Sequence, residues 1–116
     1  MSHPQSIVIS GVCYFASDFH FGAPNQNESA KRESLVVNWL DFIKKDAKHL
    51  FFLGDIFDFW FEYAGKTPSF YTLFLNKIAE IRKLGVEVYF FTGNHDMWMR
   101  NYLKEKFGIH VFKKKQ

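Results

Sequence analysis

The feature that most constrains this sequence is a run of apolar, strand-forming residues that stops at a glycine and a carboxylate: H-L-F-F-L-G-D-I-F-D, residues 49–58. A buried strand ending this way delivers an acid to the rim of a sheet. In an open α/β sheet, ligands bind in the crevice outside the carboxyl ends of the strands, so Asp55 falls where chemistry occurs. Two other stretches end in the same manner. C-Y-F-A-S (13–17) runs into D-F-H (18–20), and V-E-V-Y-F-F-T (86–92) runs into G-N-H-D (93–96). The motifs are each about one strand-helix-strand unit apart, which predicts a single polar cluster at one end of one sheet.

The segments between the motifs read as helices. After His20, F-G-A-P-N-Q-N has loop composition, and a helix is expected over 28–45, with Leu35, Val36, Trp39, Leu40 and Ile43 recurring at helical spacing. Asn27 or Ser29 is the expected cap and Glu28 suits the first turn. A second helix is expected to open at Thr67-Pro68, to bury Tyr71, Phe74, Leu75, Ile78 and Ile81, and to end at Leu84-Gly85. A short third helix over 97–106 ends near Gly108, and 109–112 starts a fourth strand. Residues 1–6 read as disordered, and the first strand lies within 7–17, with Gly11 marking a bend. The second strand is apolar on both faces, as expected of one covered by helices on both sides. The order β-α-β-α-β-α-β predicts an α/β fold with mainly parallel strands and right-handed crossovers.

A chain of 116 residues bounds this to one domain. Its 15 basic and 12 acidic residues leave a charge of +3, which fits an anionic partner without choosing among a phosphate ester, a membrane surface and nucleic acid. The basic residues are dispersed apart from a solvated K-K-K tail at 113–115, and no nucleic-acid motif is present, so nucleic acid is not an expected partner. The single cysteine, Cys13, cannot form an internal disulfide; it reads as a buried, inert thiol in a reducing compartment. No charged-then-apolar leader opens the chain and no apolar run reaches about 18 residues, so neither a signal peptide nor a membrane span is expected.

Taken singly, each motif has an ordinary explanation, since Asp after Gly is common turn chemistry and Asn94 or Asp96 would serve as a helix cap. All three in order, each directly after an apolar strand, point to a metal site. An imidazole, two carboxylates and an asparagine carbonyl suit a borderline divalent ion such as Mn, Fe or Zn. On an extended segment Asp18 and His20 would point the same way and act together on one ion. Asp55 would bridge to a second ion about 3.5–4 Å away, with Asn94 on that ion. His95 would stabilise developing charge or protonate a leaving group, with Asp96 or another carboxylate orienting its ring. Asp58 reads as a hydrogen-bonding neighbour rather than a ligand, and His49 and His110 read as structural.

The three motifs together resemble the opening signatures of the calcineurin-like metallophosphoesterase superfamily. That resemblance implies Asp18 and His20 on one metal, Asp55 bridging, Asn94 on the second, and His95 as the catalytic histidine. It also implies a four-layer α/β/β/α sandwich of two facing sheets. The extended G-D-I-F-D-F-W (54–60) is similar to a narrower group, the UDP-2,3-diacylglucosamine hydrolases of lipid A biosynthesis. They cut a pyrophosphate to give UMP and an acylated sugar 1-phosphate, commonly with manganese, at the inner face of the bacterial cytoplasmic membrane. The resemblance therefore implies a cytoplasmic protein with a UDP-acylsugar or other phosphoester substrate and a membrane surface among its partners. Phe57, Phe59, Trp60, Phe61, Tyr63, Phe70, Tyr71 and Phe74 would suit acyl chains, or would pack as an aromatic core.

Two departures matter. Many of those hydrolases carry arginine where His95 stands. Members of the superfamily also run to about twice this length, in the ordinary range of domain sizes, and supply later histidines that are absent here. The chain is thus expected to be the N-terminal half of the sandwich, with one sheet face open to self-association and little turnover on its own.

Overall fold

The computed structural model describes residues 10–58, 71–93 and 102–113. The elements are β1 (Val12–Ala16), α1 (Gln26–Ile43), β2 (Ala47–Phe52), α2 (Thr72–Lys83), β3 (Glu87–Phe91), α3 (Tyr102–Phe107) and β4 (His110–Phe112). They form one sheet in the order β1-β2-β3-β4, every pairing parallel. The expected alternation of strands and helices is therefore present. Because each strand joins its neighbour in the same direction, crossovers of one hand place every helix on the same side.

The register fixes what each face carries. Leu50 pairs with Val88 and Phe52 with Phe90, and all four are buried with Val36, Leu40, Ile43, Phe74, Ile78, Ile81 and Leu103 of the helices. The intervening residues Phe15, Phe51, Tyr89 and His110 line the opposite face. Among the described residues no helix packs there, so the expectation that helices cover β2 on both sides is corrected. Its second face is apolar because aromatic rings from neighbouring strands stack along it, Phe15 on Phe51 and Phe51 on Tyr89. Cys13, expected to be buried, is half-exposed on this face.

The helix ends show where local signals held. α1 is capped by Asn25, whose Oδ1 accepts the Glu28 N–H at 2.9 Å, rather than by Asn27 or Ser29. Glu28 does occupy the first turn. On its buried stripe Val36, Leu40 and Ile43 are enclosed as expected, but Leu35 is 69% exposed. Trp39 is half-buried, edge-on to Tyr14.

α2 begins at Thr72, after Tyr71 in a left-handed conformation (φ +66°), and ends at Leu84-Gly85 as expected. Thr67 and Pro68 lie outside the described residues. The cap is remote instead: the Glu33 carboxylate of α1 accepts the buried Phe74 N–H at 2.8 Å. Arg82 closes the other end, donating to the carbonyls of Val86 and Phe107 and so fastening β3 and α3 to α2.

Candidate metal centre

β1 and β2 both release their chains at the same end of the sheet, and the two following loops pair with each other. Asp18 N–H donates to the Gly54 carbonyl at 3.1 Å, His20 N–H to Asp55 at 3.0 Å and Phe21 N–H to Ile56 at 2.9 Å; Asp58 N–H returns to Phe21 at 2.8 Å. This short ladder continues the β1-β2 pairing past the strands. It brings ligand atoms of Asp18, His20 and Asp55 within 4.8 Å of one another.

The side chains converge for a reason the sequence does not announce. Asp18, His20 and Asp55 all have left-handed backbones, with φ of +60°, +47° and +52°. Strand alternation therefore does not aim Asp18 and His20, as expected; two local kinks do. Aspartate and histidine are among the residues that tolerate this region best. Such conformations persist where the surroundings over-determine them, and they cluster at functional sites.

The His20 ring sits between two carboxylates, Nε2 3.6 Å from Asp18 Oδ1 and Nδ1 3.7 Å from Asp58 Oδ1. Nε2 is thus the nitrogen on the Asp18 side of the ring and Nδ1 the one on the Asp58 side. The third motif meets the second through glycines. A Cβ on Gly93 would lie 2.7 Å from the Asp55 backbone nitrogen, and one on Gly54 would lie 3.3 Å from the Gly93 Cα. Only glycine at 93 lets the end of β3 lie against Asp55. Asn94, His95 and Asp96 are outside the described residues, as are Phe59, Trp60, Phe61, Tyr63 and Phe70.

Three acidic and imidazole donors within one ion's reach, Asp18 exposed and His20 and Asp55 partly buried, beside an open cleft of about 360 Å³ lined by Asp18, Phe19, His20, Ala23, Pro24 and Arg32, fit a divalent ion. His49 and His110 stand away from it. The former contacts Tyr89 and the Ser10 carbonyl, and the latter contacts Glu87. Phe57 and Phe74 are fully buried, so both belong to the aromatic core. Tyr71 packs on Phe57, and burial, more than the charges of Asp58 and Glu33, raises its phenol above the ordinary value.

A model of the calcineurin-like phosphoesterases matches residues 13–115. The chain belongs to this family. Curated relatives are each named UDP-2,3-diacylglucosamine hydrolase. That of Porphyromonas gingivalis is 44% identical over 84% of this chain, that of Actinobacillus succinogenes 34% over 72%, and that of Aliivibrio fischeri 30% over 84%. The chain spans only 33% to 38% of the length of these relatives. No helix among its described residues is long and apolar enough to cross a membrane.

Three residues of α1 near the loop were not singled out for these roles from the sequence: Ser29 and Glu33 are buried and Arg32 is half-buried, and of these Glu33 serves α2 rather than the site. The signal was the helical period itself: stepping back from Ile43 through Leu40 and Val36 lands on Glu33 and Ser29.

Proposed function

We propose that this chain forms the opening metal-binding part of a phosphohydrolase that cleaves the pyrophosphate of UDP-2,3-diacylglucosamine, adding water to give UMP and 2,3-diacylglucosamine 1-phosphate. The convergence of Asp18, His20 and Asp55 at the paired strand ends carries this reading. The relatives' names supply the substrate. Asp18 and His20 would hold one ion, Asp55 both, and Asn94 the second. Bound there, two such ions, with manganese preferred, would supply a water of lowered pKa and charge neutralisation at the phosphoryl oxygens.

The rest falls to the protein. Asp58 holds the His20 ring so that Nε2 is the ligand nitrogen. His95 donates a proton to the departing phosphate oxygen, and Asp96 orients its imidazole. The lipid-linked substrate places the enzyme in the cytoplasm, at the inner membrane surface. The open aromatic face of the sheet provides for self-association of this segment when no second layer covers it.

The test is metal content and Mn²⁺-stimulated release of UMP by the intact protein and by Asp55→Ala. Loss of at least about a thousandfold in kcat, with loss of one or both ions, is expected when the bridging carboxylate is removed. Two bound ions without UMP release, but with hydrolysis of another phosphoester, would transfer the site to a different phosphatase or nuclease substrate.

A further inference from the structure

The ladder between the two loops anchors only one side of the D-F-H segment. It uses the N–H groups of Asp18, His20 and Phe21. The other side is held from α1. Ser29 Oγ accepts the Gly22 N–H at 2.6 Å. Arg32 reaches back across the loop, its Nε donating to the Phe19 carbonyl at 2.7 Å and its Nη2 to the His20 carbonyl at 2.8 Å, with a further short contact from Nη2 to the Ala23 carbonyl. One planar guanidinium thus gathers three carbonyls of the loop in which Asp18 and His20 are left-handed, and the Phe19 carbonyl it binds shares a peptide plane with the φ of His20. A lysine, with a single nitrogen, has no matching fork.

We infer that Arg32 is a positioning residue for the metal centre: by clamping the carbonyls of Phe19, His20 and Ala23 it fixes the loop conformation that turns Asp18 and His20 toward one ion. This rests on the reading that Asp18, His20 and Asp55 hold metal. Its neighbour Glu33 supplies an internal comparison. Glu33 is buried on the same helix but is bonded to α2, not to the ligand loop. Loss of Glu33 weakens the fold, whereas loss of Arg32 acts on the site.

The experiment uses the intact protein stripped of metal and titrated with Mn²⁺, followed by electron paramagnetic resonance and by thermal unfolding of the metal-free form. Arg32→Lys and Arg32→Met are compared with Glu33→Ala, and either Arg32 variant that folds suffices. In the Arg32 variants, Mn²⁺ affinity is expected to fall about tenfold or more, the range for residues that orient metal ligands. The bound-Mn²⁺ spectrum should change and kcat should drop more than KM moves, while the metal-free melting temperature stays near that of the parent. Glu33→Ala is expected to lower the melting temperature and leave Mn²⁺ affinity within about twofold, being outside the ligand set. Unaltered affinity and spectrum in the Arg32 variants overturn the inference. So does a loss of affinity in Glu33→Ala as large as theirs, because affinity would then follow stability. A parent protein that takes up no Mn²⁺ refutes the site itself, and the inference with it, before any variant is compared.

Discussion

The two faces of the sheet are built from the same kinds of side chain and pack by different rules. On the helix-covered face, Leu50, Phe52, Val88 and Phe90 are at most 1% exposed. Phe52 meets Phe74 of α2 edge-on at 74°, because rings from two layers must interdigitate to fill volume, and its in-register neighbour Phe90 is tilted from it by 40°. On the other face the rings run in rows. Phe15 lies on Phe51, Phe51 on Tyr89 and Tyr89 on His110 with interplanar angles of 13°, 8° and 23° and centroids 4.5 to 5.0 Å apart. That spacing is close to the roughly 4.8 Å between neighbouring strands. In-register parallel strands stack like rings on like rings wherever no second layer intrudes, so an aromatic ladder marks a face that the described residues leave open. Phe15 and Phe112 remain 59% and 48% exposed there.

The sharpest test of this difference is a matched pair of truncations. Phe90→Ala on the covered face is expected to cost roughly 3–5 kcal/mol, a large share of the stability of an ordinary domain. Phe15→Ala on the open face is expected to change stability by no more than about 0.5 kcal/mol. Urea unfolding of the 116-residue chain measures both. Equal losses at a concentration where the chain sediments as a monomer would mean that the open face is covered by contacts outside the described residues.

A change of charge probes the open face from the other direction. Phe15→Lys places a cation on the edge strand at the end of the ladder, a device that discourages association at exposed sheet edges. Sedimentation should show the parent chain associating more strongly than the variant, with similar urea midpoints. Unchanged association would locate the contact elsewhere.

How far the sequence revealed this arrangement depends on the range of the forces involved. Element order, the parallel sheet and the Leu84-Gly85 stop were legible because apolar period and glycine punctuation are local. The burial of one face of β2 was legible, but not what covers the other, because its composition is apolar for either reason. At the candidate metal centre, the grouping of Asp18, His20 and Asp55 was legible from two strand ends. Their left-handed backbones were not, because the kinks are set by pairing with residues 54–58 and by Arg32, a dozen or more positions away. The cap of α2 was not legible for the same reason: it is Glu33, 41 residues from Phe74.

The smallest effect concerns the outer rim of the covered side, where α1 and α2 are joined by charge. Lys44 bridges Asp41 and Glu80 at 2.6 and 2.8 Å, and Lys77 reaches the same two carboxylates at 3.1 and 3.3 Å. Hydrogen bonds from Lys44 and then Lys77 hold both acids below their ordinary values of 3.8 and 4.5, and the two lysines are raised in turn, chiefly by Asp41. A carboxylate depressed in the folded state contributes fully above its unfolded value and loses that contribution as pH falls through the folded one. The window therefore lies on the acid side of 4.5 for Glu80 and of 3.8 for Asp41. The lysine contribution is whole below 10.5 and fades only above it. Because the cluster is solvent-exposed, Asp41→Asn should lower the urea midpoint slightly at neutral pH and low salt. That difference should shrink as pH falls below the carboxylate range, and it should vanish in molar salt, where charges are screened over about 3 Å. A difference that survives both acid and salt would assign the α1-α2 contact to packing alone, leaving the covered face as the whole source of the sheet's stability.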